Sequence, residues 1–433
     1  SLTIEAASAG YRVLAASNNP IERFLLELLC QPPTPAELRS VLADLAAMSK
    51  GAERIEPYIR SLYYTQCPHC GETIEALAFI WDRQSQKPIL RQLNCPICHI
   101  QGEYPVTLAD QEKAEQHASK GLHWFRALER VAPMNDPDRE HAQDAMEAYL
   151  PRSVEALFTL VNRLDHFSKP RQRLLAALFL PVFDQANSLW AYPSTNSRPK
   201  QLNKPAKFME VNIWHALEQT IDTWANIFES RNQENYPIPI HKFPELISEG
   251  GGITVYDGRL KDLVLAHQDP KLKEILSAMD LKAGFAAIPR PNQAYWSLST
   301  LWAGWLWGSE MTESFKSVLR RRRYDWSWHC TALTSAFNSL SIILKDQIPF
   351  LGISGEGEPG LVSATLLAGA VNGFHLQGIA TRQESRQIQV HWQRNKSLTH
   401  KLDSMPSQFQ EMTARIGNQS LHKYIKQRAE PVS

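Results

Sequence analysis

No stretch of this 433-residue chain is apolar for long enough to cross a bilayer. The longest such run, Leu174 to Phe183, is ten residues and contains Pro181, where about 20 are needed for a spanning helix. The chain opens Ser-Leu-Thr-Ile-Glu-Ala-Ala, with no initiator methionine, no basic leader and no small-residue cleavage site. Secretion is therefore not expected, a cytoplasmic location is, and the true start is expected further upstream. Charge of one sign is lacking too: 46 Lys and Arg face 45 Asp and Glu, a formal net charge of +1. That excludes a uniform field coating a polyanion, so any nucleic-acid contact must come from local basic patches. Cysteines number only six, and their uneven placement does not suit a disulfide scaffold. No internal repeat is evident. What is present is globular: 43% hydrophobic and 21% charged residues over a length of two to three domains, enough to bury a large core.

Four of the six cysteines form two CxxC pairs, Cys67-Pro-His-Cys70 and Cys95-Pro-Ile-Cys98, with 24 residues between them. Each pair fits a tight turn that aims two thiolates at one point, and two such knuckles complete a tetrahedral four-cysteine shell of the zinc-ribbon type. A closed shell leaves no open coordination position, so the expected zinc is structural and not catalytic. His69 and His99 read as exposed bystanders. Cys30 and Cys330 read as buried packing.

Periodicity gives an alternation of strands and helices. Tyr11 to Asn19 reads as a strand, Pro20 opens a helix, and Gly10 caps the end of a preceding helix. Residues 34 to 63 continue helical, with Thr34 as a cap. Short alternating runs around the cysteine pairs predict a β-ribbon. Amphipathic helices are expected over Ala114–Val131, Asp138–Leu150, Val154–Phe167 and Arg171–Trp190. Beyond Gly250 the pattern returns to strands at 253–256, 284–288 (buried), 349–354, 375–380 and 387–392, with helices at 296–307 and 360–373. The last two strands are close enough for an antiparallel hairpin at the edge of a mostly parallel sheet. Two basic stretches stand out. The loop 191–207 carries Arg198, Lys200, Lys204 and Lys207 with no acidic residue, and Lys316 with Arg320, Arg321, Arg322 and Arg323 places five cations in eight residues. Both suit phosphate contacts.

Taken together, the segments at 3–20 (ending Ser-Asn-Asn-Pro), 67–98, 256–263 (Tyr-Asp-Gly-Arg-Leu-Lys-Asp-Leu) and 289–307 (Pro-Arg-Pro-Asn-Gln-Ala-Tyr-Trp-Ser-Leu-Ser onward) resemble the class I S-adenosylmethionine-dependent DNA methyltransferases of the amino-group type. The likeness is to the large bacterial enzymes with an inserted zinc ribbon. It implies an α/β fold: a Rossmann-like methyltransferase sheet interrupted by a four-cysteine zinc ribbon and a helical subdomain. The implied layout is a first methyltransferase part at 1–62, the ribbon at 63–105, the helical subdomain at 106–245, a second methyltransferase part at 246–400 and a helical tail at 401–433.

The resemblance also implies roles. Ser17, Asn18 and Asn19 at the end of the first strand, and Asp257, are expected to contact S-adenosylmethionine. Pro289, Asn292 and Tyr295 are expected to form the catalytic turn, with the aromatic ring stacking a flipped base in DNA. Implied partners are DNA and no membrane, in a restriction-modification setting. Where the family carries Asp-Pro-Pro-Tyr, this chain reads Ala-Ala-Ile-Pro at 286–289, or Ala-Ile-Pro-Arg one residue on. Two readings follow: methylation of an adenine or cytosine amino group, or a degenerate relative that binds DNA or assembles without chemistry. The Trp-rich helix at 296–307 reads as core.

Overall fold

The structure, a computed structural model, describes residues 2–194, 199–230, 237–247, 249–266, 268–289, 292–313, 316–320, 326–355, 357–382 and 387–395. The expected tail at 401–433 lies outside them. The chain begins with α1 (Leu2–Ser8), β1 (Arg12–Ser17), α2 (Pro20–Cys30), α3 (Pro35–Ala47), the two-residue strands β2 (Ser49–Lys50) and β3 (Glu53–Arg54), and α4 (Ile55–Ser61). A ribbon follows: β4 (Tyr64–Gln66), β5 (Thr73–Asp82), β6 (Lys87–Asn94) and β7 (Gln101–Pro105). Next come α5 (Leu108–Gln116), α6 (Leu122–Val131), α7 (Arg139–Met146), α8 (Pro151–Val161), α9 (Lys169–Gln185), β8 (Lys207–Val211) and α10 (Ile213–Glu229). The last third holds β9 (Ile240–Lys242), β10 (Gly252–Asp257), α11 (Leu260–Ala266), α12 (Pro270–Ala278), β11 (Gly284–Ala287) and α13 (Gln293–Trp307). It closes with α14 (Trp326–Ile343), β12 (Pro349–Ser354), α15 (Pro359–Val371), β13 (Phe374–Arg382) and β14 (Gln387–Arg394). Among the described residues no helix is long and apolar enough to cross a membrane.

The fold is mixed α/β with several sheets, divided into two compact units. The first takes the described residues within Ser1–His241, Leu246–Val255 and Asn292–Arg322; the second takes those within Lys242–Glu245, Tyr256–Pro291 and Arg323–Ser433. In the first unit the local signals hold. Gly10, at φ +89°, follows α1, and its N–H donates to Ala7 O. Thr34 and Glu37 form a reciprocal capping box at α3. The helix expected over Ala114–Val131 is instead two: α5 ends at Gln116 and α6 starts after Gly121. Gly121 marks the break, since glycine costs about 1 kcal/mol more than alanine inside a helix.

β5 is the central strand of the ribbon. β6 pairs along one side of it, while β4 (at Thr73–Glu75) and β8 (at Ala78–Asp82) share the other. The ribbon sheet is thus completed by a strand more than a hundred residues downstream. One hydrophobic core joins ribbon and helices, including Phe79, Leu93, Phe158, Phe183, Trp214 and Trp305. Trp305 sits at its centre, fully buried, with edge-on contacts to Tyr149, Phe158 and Phe183. Trp302 donates its indole N–H to Tyr149 at 2.7 Å. Helix α13 is core, as its tryptophan spacing predicts.

The strands expected to form one sheet lie in two. β1, β10 and β9 form a three-stranded sheet over a small core of Ile4, Ala7, Cys30, Ile238, Ile253 and Val255. In the second unit the order is β11-β12-β14-β13. There β11 and β12 are parallel, and β14 runs antiparallel to both β12 and β13, so the closing hairpin forms as expected. β11 is half-buried, not buried, because it is the edge strand. Cys330 packs in this unit's core, and burial pushes its thiol up to about 12.

Candidate metal centre and polar site

The two CxxC knuckles fold alike. Cys67 N–H donates to Glu72 O at 2.8 Å and Gly71 N–H returns to Cys67 O at 3.0 Å; Cys95 N–H donates to Ile100 O and His99 N–H returns to Cys95 O, both at 2.9 Å. The residue after each second cysteine is left-handed, Gly71 at φ +76° and His99 at +61°. His99 takes that conformation as a non-glycine residue, which only a few per cent of such residues do. His69 and His99 are exposed.

The four sulfurs lie within 4.8 Å of one another, with Cys67 Sγ 3.5 Å from Cys98 Sγ and Cys70 Sγ 3.8 Å from Cys95 Sγ. None of the four is in a disulfide. They form a tetrad that could hold a metal ion such as zinc, and no oxygen or imidazole joins them among the described residues. Burial works against ionising Cys67, but N–H groups of Cys70 and His69 and the neighbouring thiols hold it down at about 6. Cys70 accepts from the backbone at Glu72, yet burial and the hydrogen bonds shared with the other thiols push it up to about 12. Four thiols this close cannot all ionise without a cation, which is the chemistry of a thiolate metal shell.

The second site grows from the end of β1. Ser17 is its last residue, and the chain turns through Asn18 into Asn19, the N-cap of α2. Asn19 is fully buried and its Oδ1 accepts from Ile21 N–H at 3.0 Å, while its Nδ2 has no hydrogen-bond partner among the described residues. Ser17 Oγ accepts from Asn19 N–H at 3.1 Å and donates to Glu22 Oε2 at 2.8 Å. The other oxygen of Glu22 accepts the hydroxyl of Tyr295 at 2.7 Å. Asn292 caps α13, its Oδ1 accepting from Tyr295 N–H at 2.9 Å. Ser17 and Tyr295 therefore meet on one carboxylate.

Glu22 is not singled out by the sequence. It is an acidic residue in the first turn of a helix, which the helix dipole explains by itself. The loop carrying Lys200 also reaches this place, since Ala294 N–H donates to Lys200 O at 3.2 Å. Lys204 stacks over Phe208 at 5.6 Å, and burial lowers its pKa. Lys207 opens β8 and is exposed.

The other predicted residues are placed differently. Asp257 is the last residue of β10 and belongs to the second unit, as does exposed Pro289, whereas Asn292 and Tyr295 belong to the first. Lys316 is buried and paired with Asp136 and Glu313, and Arg320 pairs with Asp138. Those carboxylates balance charges that the sequence presents as an open basic cluster, because Asp136 and Asp138 are far away along the chain. Arg198, Arg321, Arg322 and Arg323 lie outside the described residues. No protein-family model, no curated protein and no solved structure matches this chain.

Proposed function

We propose that the protein transfers a methyl group from S-adenosylmethionine to an exocyclic amino group of adenine or cytosine in DNA, with a structural zinc in its cysteine tetrad. The observation that carries this reading is the chain Ser17–Glu22–Tyr295. It joins the end of the strand expected at the cofactor to the aromatic residue expected at the base. Further support comes from the antiparallel hairpin that closes the β11–β12 sheet, and from Lys200 beside the start of α13.

S-adenosylmethionine, when bound, supplies the electrophilic sulfonium methyl. Ser17 would help to hold the cofactor, and the methyl it would supply is one that an amino nitrogen can take up in exchange for a proton released to solvent. In this reading the residues of the chain bind and orient. Ser17 offers a hydroxyl to the cofactor, Tyr295 a ring face to the flipped base, and Lys200 and Lys207 positive charge to phosphates. Asn292 Oδ1 is committed to its helix cap, so Glu22 is the carboxylate beside Tyr295.

One observation favours a second reading. Ala286, Ala287, Ile288 and Pro289 offer no side-chain acceptor for an amino group, as in a DNA-binding relative without chemistry. The test is titration calorimetry with S-adenosylmethionine, followed by mass spectrometry of nucleosides from DNA incubated with protein and cofactor. Binding with formation of N6-methyladenine or N4-methylcytosine is expected. Absence of cofactor affinity overturns the enzyme reading, and retained DNA binding alone selects the second.

A further inference from the structure

We propose that Glu22 is a positioning residue coupling the two ends of this site, so that ligand bound at Ser17 and base stacked on Tyr295 strengthen each other. The inference rests on the methyltransferase reading for the identity of the ligands.

Both neighbours of Glu22 stand on fixed backbone. On one side Asn19, Pro20 and Ile21 are buried, Asn19 caps α2, and the Arg23 guanidinium donates to Ser17 O at 2.9 Å. On the other, Asn292 caps α13, Ala294 N–H is bonded to Lys200 O, and Ala294, Ser297 and Leu298 are buried. What stays adjustable is rotation of the side chains themselves, and all three are half-buried. The Ser17 hydroxyl both accepts from Asn19 N–H and donates to Glu22, so its direction is set. Glu22 is held by that donor on Oε2 and by Tyr295 on Oε1.

A carboxylate is planar, so a donor that holds one oxygen narrows the directions in which the other can accept. Tyr295 must follow, because its first side-chain torsion decides where the hydroxyl, and with it the ring, stands, while the second only turns the ring about the axis that carries the hydroxyl. A ligand that engages Ser17 thus orders the ring, and a base that stacks on the ring orders Ser17. By linkage the effect is reciprocal, with coupling factors for such pairs of roughly 5- to 150-fold.

The experiment measures affinity of the full-length protein for a mixed-sequence DNA duplex by fluorescence anisotropy, with and without saturating S-adenosylhomocysteine. Wild type is expected to bind DNA several-fold more tightly when the nucleoside is present. Glu22→Gln is expected to bring that ratio close to one while each separate affinity stays within a few-fold of wild type. Tyr295→Phe removes the same bond from its other end and is expected to bring the ratio close to one as well, whatever it does to DNA affinity by itself, with no further loss of coupling in the double variant. Unchanged thermal unfolding shows that both variants are folded. Wild-type coupling retained in either folded variant overturns the proposal, as does wild type that binds both ligands without coupling. Wild type that binds neither ligand overturns the methyltransferase reading, and the proposal with it.

Discussion

Arg152 of α8 and Glu210 of β8 form a two-point ion pair with both side chains out of water. Arg152 Nε lies 2.8 Å from Glu210 Oε1 and Nη2 lies 2.5 Å from Oε2, while Trp81 donates its indole N–H to the same carboxylate at 2.7 Å. The pair ties a helix to the ribbon sheet through the strand that completes it. Removing one partner strands a buried charge, so Glu210→Ala is expected to cost about 3–5 kcal/mol in urea unfolding. The double variant Arg152→Met/Glu210→Leu is expected to cost less. A single substitution milder than the double would refute the argument from desolvation.

The thiol tetrad predicts one zinc per chain. Cys67 and Cys95 are buried within the main core, so stripping the metal should loosen the ribbon and the helices packed on it together. Elemental analysis should find about one equivalent, and a strong chelator or Cys95→Ser should lower the melting temperature and remove the metal. A metal-free protein of unchanged stability would contradict a structural zinc.

Gly71 and His99 occupy equivalent left-handed positions, and the two knuckles make opposite predictions. Gly71→Ala introduces a Cβ at φ +76° and is expected to destabilise by about 1–2 kcal/mol. His99→Gly relieves a residue at φ +61° and is expected to be neutral or slightly stabilising, with metal content unchanged because His99 is not a ligand. Loss of zinc from His99→Gly would show a coordination role.

Glu155 of α8 accepts from Tyr58 and shares a 2.8 Å hydrogen bond with His117. The His117 bond, with help from Tyr58 and Lys50, holds its carboxyl at about 2 against an ordinary 4.5. A depressed acid stabilises the fold fully above its unfolded pKa and loses that contribution as pH falls towards the folded value. Stability should therefore drop between about pH 4.5 and pH 2, by roughly 2 kcal/mol once solvent screening is allowed for. Glu155→Gln should flatten that window and leave the acid-side curve elsewhere unchanged.

Gly304 of α13 lies against α6 so closely that a Cβ would stand 2.8 Å from Val131 Cγ2 and 2.9 Å from its Cα. One of those contacts is backbone and cannot swing aside. Gly304→Ala is expected to cost about 1–3 kcal/mol despite the better helix propensity of alanine. A stabilised variant would mean the helices separate freely.

The sequence by itself determined the parts whose cause is local. Paired CxxC motifs place the tetrad, because four thiols on two tight turns need only a few neighbouring residues to be aimed. Gly10, the Thr34–Glu37 box and the alternation at 375–392 likewise act within one turn or one hairpin. Tertiary structure alone decided what depends on distant pairing. β8 joins β5 by backbone hydrogen bonds that carry no residue signature, so no pattern at 207–211 announces the ribbon. Asp136 and Asp138 neutralise Lys316 and Arg320 from far along the chain, turning two cations of an apparently open basic run into ion pairs. The division into two sheets came from edges left unpaired among the described residues, which periodicity cannot register. Glu22 shows the same limit: an acidic residue in a first helical turn looks ordinary until folding brings Tyr295 to its second oxygen.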